Sequence, residues 1–134
     1  MMKIEFDNSL VTGNAMIDEQ HKELIGKIDK LVACCEEGGG KVEAIKMLDY
    51  LSDYTDFHFG EEEKLQEEVS YPAIEGHKAK HAEFKKSVEE LHEMLVEEEG
   101  PTDAFVAAVQ KNVVDWLFDH IKNMDQALAA YVQK

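Results

Sequence analysis

Four runs of apolar residues at helical spacing, divided by short breaks, restrict the fold of this chain more than any other feature. From Ile17 the first run reads Ile17, His21, Leu24, Ile28, Leu31, Cys35, in the alternating steps of four and three that mark one face of an α-helix. It stops at Gly38-Gly39-Gly40, because glycine takes the left-handed conformation that closes a helix at little cost. The second run is Leu48, Leu51, Thr55, His58, Glu62, Leu65, Val69, ending at Ser70-Tyr71-Pro72. The third is Ile74, His77, His81, Phe84, Val88, Leu91, Leu95, ending near Glu99-Gly100. Pro101 opens the fourth, since a first helical turn tolerates proline. That run has two adjacent seams: Phe105, Val109, Val113, Trp116, His120, Met124, and beside them Val114, Leu117, Ile121, Asp125, Leu128.

No strand-like alternation competes with these runs. Long amphipathic helices joined by short links become antiparallel neighbours. The expectation is an all-α fold: a single domain over residues 1–134, built as an up-down-up-down antiparallel four-helix bundle. Its helices are expected at about 17–37, 41–69, 72–98 and 101–132, with an extended N-terminal arm over 1–16. A chain of 134 residues with 44% apolar side chains can bury a core without disulfides.

Charge narrows the range of partners. The chain carries 29 acidic and 14 basic side chains, a net charge of −15. Such a surface repels phosphate backbones and anionic lipid, which argues against nucleic-acid and membrane partners. No stretch approaches the roughly 20 apolar residues of a membrane span, and Met1 to Asn8 lack the apolar centre of a secretory leader. Cys34 and Cys35 are neighbours in a helical run, so their side chains diverge and a disulfide between them would be strained. Cys35 falls on the stripe and reads as a small core residue. A cytoplasmic location is expected.

The seams share a defect. His21, His58, Glu62, His77, His81 and His120 each stand where an apolar residue belongs, and Asp125 does so on the second seam of the last helix. Burying one ionisable group without a partner costs several kcal/mol. In an antiparallel hairpin, residues equally far from the turn lie at the same height. With the first turn near residue 39, His21 falls level with His58; the second turn sets Glu62 between His77 and His81; the third brings His120 and Asp125 into the same layer. Within helices, His58 and Glu62 are four apart, as are His77 and His81, so each pair projects from one face. His120 and Asp125 are five apart, about 140° around an ideal helix. Asp125 must therefore reach across, or the helix must distort.

Five imidazoles and two carboxylates exceed the needs of one ion and suit two. With both carboxylates and an oxide or hydroxide bridging two six-coordinate ions, one position remains for a small ligand. Imidazole-rich sites with some carboxylate suit iron, while copper and zinc also accept them. Carboxylate-dominated di-iron bundles use Glu-x-x-His pairs, a spacing absent among these core residues.

The ordered set resembles the hemerythrins, specifically the single-domain bacterial ones. The likeness runs through Ile17-Asp18-Glu19-Gln20-His21-Lys22-Glu23-Leu24, His58-Phe59 with Glu62-Glu63, Tyr71-Pro72, His77, His81, Phe84, Trp116-Leu117, His120-Ile121 and Asp125, nearly the whole chain. The resemblance implies two non-haem irons, one held by His77, His81 and His120, the other by His21 and His58, bridged by Glu62, Asp125 and an oxide or hydroxide. It implies reversible O2 binding at the second iron, for transport, storage or supply, and it places Trp116 and Leu117 against the ligand pocket. The alternatives are a di-iron oxidase, peroxidase or nitric-oxide-handling enzyme, and an oxygen sensor acting through a separate partner. The family often carries tryptophan in the arm where this chain has Phe6; the aromatic anchor is kept, so the arm is expected to dock. His92 reads as a rim residue, and Glu61 and Glu63 as solvated neighbours of Glu62.

Overall fold

The computed structural model describes residues 6–38, 40–98 and 100–133. Four long helices pack as a ring in which each touches its sequence neighbours and the last returns to the first. Helix α1 spans Ala15–Glu36, α2 Lys41–Glu68 and α3 Ile74–Glu97. Helix α4 runs from the α-helical Asp103–Val109 through a π-helical turn, Gln110–Asp115, to α-helical Trp116–His120. A second π-helical turn, Ile121–Asp125, leads to α-helical Gln126–Val132. No strand is present among the described residues, and none of the described helices is long and apolar enough to cross a membrane.

Side chains set the helix ends. Asn14 accepts a hydrogen bond from the Ile17 amide at 3.0 Å, and Thr102 accepts one from the Phe105 amide at 3.1 Å. Both satisfy first-turn donors that have no partner within the helix. Pro101 precedes this cap, so the cap and not the proline opens α4. Gly38, at φ 77°, stops α1 in the left-handed region.

The core is formed by the stripes read above, with Leu24, Ile28, Leu31, Leu48, Leu51, Phe84, Leu91, Leu95, Phe105 and Val113 fully buried. Each large apolar side chain so buried contributes roughly 1.5–3 kcal/mol. Two stripes drift at their ends: Leu65, Val69 and Cys35 are only half-buried, whereas Phe59 and Gln66 lie fully inside.

The arm is held by polar contacts at the end of the bundle. Asp18 accepts hydrogen bonds from the Thr12 amide at 2.9 Å, the Thr12 hydroxyl at 2.8 Å and the Gly13 amide at 3.2 Å. Gln126 donates to the carbonyls of Ser9 at 2.9 Å and Val11 at 3.2 Å. Leu10 is buried, and Phe6 packs against the core with the Lys22 ammonium 5.5 Å from its ring. The short 3₁₀ turn Asn8–Leu10 thereby rests on the second π turn of α4.

Candidate metal centre

His21, His58, Glu62, His77, His81, His120 and Asp125 come together in the middle of the bundle, each at most 4% exposed. Their ligand-type atoms form two overlapping groups, Glu62, His77, His81, His120, Asp125 and His21, His58, Glu62, Asp125. Within each group these atoms all lie within 4.8 Å of one another. Glu62 and Asp125 belong to both. Two sets of donors that share two carboxylates are the arrangement two bridged cations require.

Each helix contributes by its own geometry. Helix α2 offers His58 and Glu62 one turn apart, with His58 Nε2 3.2 Å from Glu62 Oε2. Helix α3 offers His77 and His81 one turn apart, their rings 4.6 Å between centroids. On α4 the five-residue step from His120 to Asp125 is accommodated by the π turn between them. A π turn bonds residues five apart, so Asp125 takes the place that a residue four along takes in an α-helix. Asp125 Oδ1 consequently sits 3.2 Å from His120 Nε2 and 2.8 Å from His77 Nε2, with its Oδ2 2.9 Å from His21 Nε2.

The inward atoms are crowded yet poorly bonded. Nε2 of His77 and Nε2 of His120 face each other at 3.0 Å. Nε2 of His21, His58 and His81, both Glu62 oxygens and Oδ2 of Asp125 are buried without a hydrogen bond. Orphaned buried polar atoms cost about 1–3 kcal/mol each, and native cores rarely hold so many. Nitrogens and carboxylate oxygens converging on one place, with more lone-pair atoms than hydrogen bonds among them, fit a set of donors for cations. Their chemistry, imidazole with some carboxylate, suits iron.

Outer contacts fix the rings. Nδ1 of His58 lies 2.8 Å from the Gln20 carbonyl oxygen, and Nδ1 of His77 lies 2.9 Å from the Gln66 amide nitrogen. Nδ1 of His81 lies 2.9 Å from Glu63 Oε2. All three partners hold a ring in orientation, and the oxygens of Gln20 and Glu63, by accepting the Nδ1 proton, leave Nε2 of His58 and His81 free for metal. Phe59 stacks flat on His81 at 3.8 Å, and Trp116 stacks on His120 at 4.6 Å.

The carboxylates and rings hold one another in charged forms. Burial opposes ionisation of Glu62, but His58, His21 and His81 outweigh it and keep its carboxyl well below the usual range. Burial and Glu62 likewise oppose Asp125, which His120, His21 and His77 nevertheless hold low. Burial disfavours the His21 cation, yet Asp125 and Glu62 push its pKa up to about 9.

These contacts revise the reading of one side chain, locate two others and add two. Glu63, read as solvated, is 27% exposed and bonded to His81. Trp116 covers the ring of His120 and donates its indole N–H to Glu83 at 3.0 Å, which places it on the three-histidine side. Leu117 is fully buried in the apolar core. Gln20 and Gln66 escaped the sequence reading, although Gln66 continues the four-residue step His58, Glu62 along α2. His92, 3.6 Å from Asp49 and 43% exposed, sits on the surface as its place beside the stripe suggests.

The family model for the hemerythrin HHE cation binding domain matches residues 12–132. The chain belongs to the hemerythrin family. A bacteriohemerythrin of Stenotrophomonas maltophilia is 31% identical over 133 residues, covering 99% of this chain and 84% of its own. Another, from Pseudomonas aeruginosa, is 31% identical across 98% of this chain and 81% of its own, and one from Campylobacter jejuni is 27% identical across 90% and 89%. A crystal structure of wild-type hemerythrin superposes with a TM-score of 0.78 at 27% identity over 92% of both chains. An alanine variant of hemerythrin shares the fold at a TM-score of 0.84 over the full length of both chains, at 24% identity. The buried cluster of this hemerythrin-family chain thus lies in a fold described by cation binding.

Proposed function

We propose that this hemerythrin-family protein binds O2 reversibly at two non-haem irons, as a carrier, store or local supply. The supporting observation is the pair of overlapping donor groups, unequal in size, most of whose inward atoms lack a hydrogen bond among the described residues. His77, His81 and His120 would hold one iron, His21 and His58 the other, with Glu62, Asp125 and an oxide or hydroxide bridging them. The iron pair, when bound, supplies the two electrons that O2 binding takes up and returns on release.

The chain's residues do the rest. The smaller donor set, with His21 and His58, would leave room for a small ligand on its side. Glu62 and Asp125 bring two negative charges that neutralise part of the cation charge. Gln20, Gln66 and Glu63 keep three rings turned inward. Phe59, Leu117 and Ile121 are fully buried and exclude water from this layer. Among the described residues, every group of metal-ligating side chains that converges in the core belongs to the two donor sets.

The test is an absorption spectrum of the reduced, iron-quantified protein before O2, after O2 and after its removal. Two irons per chain with a charge-transfer band that appears and then vanishes support the proposal. Irreversible oxidation with consumption of O2 would instead assign an oxidase. Absence of iron would overturn the metal assignment.

A further inference from the structure

Both nitrogens of His81 are addressed by consecutive carboxylates of α2. Glu62 Oε1 lies 3.2 Å from Nε2, and Glu63 Oε2 lies 2.9 Å from Nδ1. Neighbouring helical residues point about 100° apart, so one carboxylate meets the inward edge of the ring and the other its outer edge. Phe59, one turn before Glu63, lies flat against the same ring at 3.8 Å with an interplanar angle of 2°. Three side chains of one helix therefore grip a single imidazole of another.

The outer partners of the other rings differ in charge. His58 has the neutral Gln20 and His77 the neutral Gln66. Nδ1 of His21 and Nδ1 of His120 have no partner among the described residues. Among the described residues Glu63 is thus the one anion bonded to the outer nitrogen of a candidate ligand ring, and it lies on the three-histidine side. A carboxylate accepting the Nδ1 proton gives the ring part of the character of an imidazolate and makes Nε2 a stronger donor. Stronger donation and a nearby negative charge both favour the ferric state over the ferrous.

We propose that Glu63 is a positioning residue whose charge, acting through His81, lowers the reduction potential of the iron on the three-histidine side and makes the two irons electronically unequal. The inference rests on the di-iron reading above. Glu63→Gln preserves shape and offers a carbonyl oxygen to the same N–H while removing the charge. Glu63→Ala removes both. Phe59 remains stacked in either variant, so the ring keeps a support.

The experiment is a spectroelectrochemical titration of the iron-loaded parent, Glu63→Gln and Glu63→Ala, with iron content measured on each. In Glu63→Gln, two irons per chain are expected to remain. At a fixed applied potential its ferrous-to-ferric ratio should rise about tenfold in one of the two one-electron steps, at the lower end of outer-partner effects. That ratio corresponds to about 59 mV. Glu63→Ala should show the same shift together with weaker iron retention, and Glu63→Asp should return the potential towards the parent. A Glu63→Gln ratio within about twofold of the parent in both steps would overturn the inference while leaving the di-iron reading intact. Equal loss of iron from Glu63→Gln and Glu63→Ala would also overturn it, since charge and ring support could not then be separate. A parent that fails to hold two irons would take both readings down together.

Discussion

His120 and Asp125 are five residues apart, yet Nε2 of one lies 3.2 Å from Oδ1 of the other because the turn between them is π-helical. The arm rests on this same turn, and Gln126, the next residue, donates to the carbonyls of Ser9 and Val11. Asp125→Asn keeps the size of the side chain and removes the charge shared by both donor groups. Iron affinity is expected to fall by more than the 10–100-fold that loss of an outer partner costs. Iron content after gel filtration, with helicity followed in parallel, checks this. Two irons per chain in the variant would exclude Asp125 as a shared ligand.

Leu117 follows the tryptophan that stacks on His120, and it is fully buried. Leu117→Ala should leave iron at two per chain, because no donor is touched. It should lower stability by about 2–5 kcal/mol through the cavity it opens. Space opened beside a buried site is also expected to shorten the lifetime of the oxygenated protein. Chemical denaturation and the decay of the absorption band measure the two effects separately. An unchanged lifetime with the expected loss of stability would confine Leu117 to packing.

The amphipathic stripes alone made the bundle legible, because period and turn residues act locally, and the drift at two stripe ends and the π turns of α4 left the four helices in place. The buried cluster was legible for a different reason: seven ionisable residues on apolar seams had to meet somewhere, and equal distances from the turns placed them together. Asp125 marks where this reasoning stopped. An ideal helix puts it about 140° from His120, and nothing in the local sequence announces the π turn that resolves the conflict. The outer partners were hidden for a related reason. Glu63 and Gln20 lie just off the seams, where a solvated and a bonded side chain look alike until the partner helix is in place. Gln66 could have been found, since it continues the spacing of His58 and Glu62; the apolar Leu65 beside it drew the stripe instead, and that residue proved only half-buried.

Cys34 and Cys35 are both free thiols, and they should differ in reactivity. Burial against the core, with Cys34 and Glu36 nearby, pushes the Cys35 thiol up to about 11. Only the thiolate reacts readily. At pH 8 its ionised fraction is therefore on the order of one in a thousand, and alkylation should be slow. Raising the pH towards 10 should accelerate it by nearly tenfold per unit. Cys34 lies outside the core cluster, so it should be modified first. Peptide mapping after timed iodoacetamide treatment at several pH values checks the order, and a fast, pH-independent reaction at Cys35 would contradict it.

Ser70 closes α2 in the left-handed region at φ 53°, a position usually taken by glycine. Its amide donates to the Glu67 carbonyl at 3.2 Å, and the Tyr71 amide donates to the Gln66 carbonyl at 2.9 Å. These two bonds are those of a Schellman cap. For a residue with a Cβ this conformation costs roughly 1–2 kcal/mol, whereas glycine adopts it freely but loses more chain entropy on folding. The first effect is the larger here, because the cap geometry is imposed by the bonds that the Glu67 and Gln66 carbonyls accept. Ser70→Gly should therefore stabilise the fold by about 0.5–1 kcal/mol, and Ser70→Val should destabilise it by more than that, as a branched side chain fits this region worst. The cap also sits where α2 hands over to α3, immediately after Gln66, which bonds His77. A stability gain in Ser70→Gly with iron content unchanged would show that the strain belongs to the turn alone. A gain accompanied by altered iron affinity would show that the turn also sets the orientation of His77 through Gln66. Thermal melts of the iron-loaded and chelated forms distinguish the two, and destabilisation of both forms by Ser70→Gly would refute the strain argument.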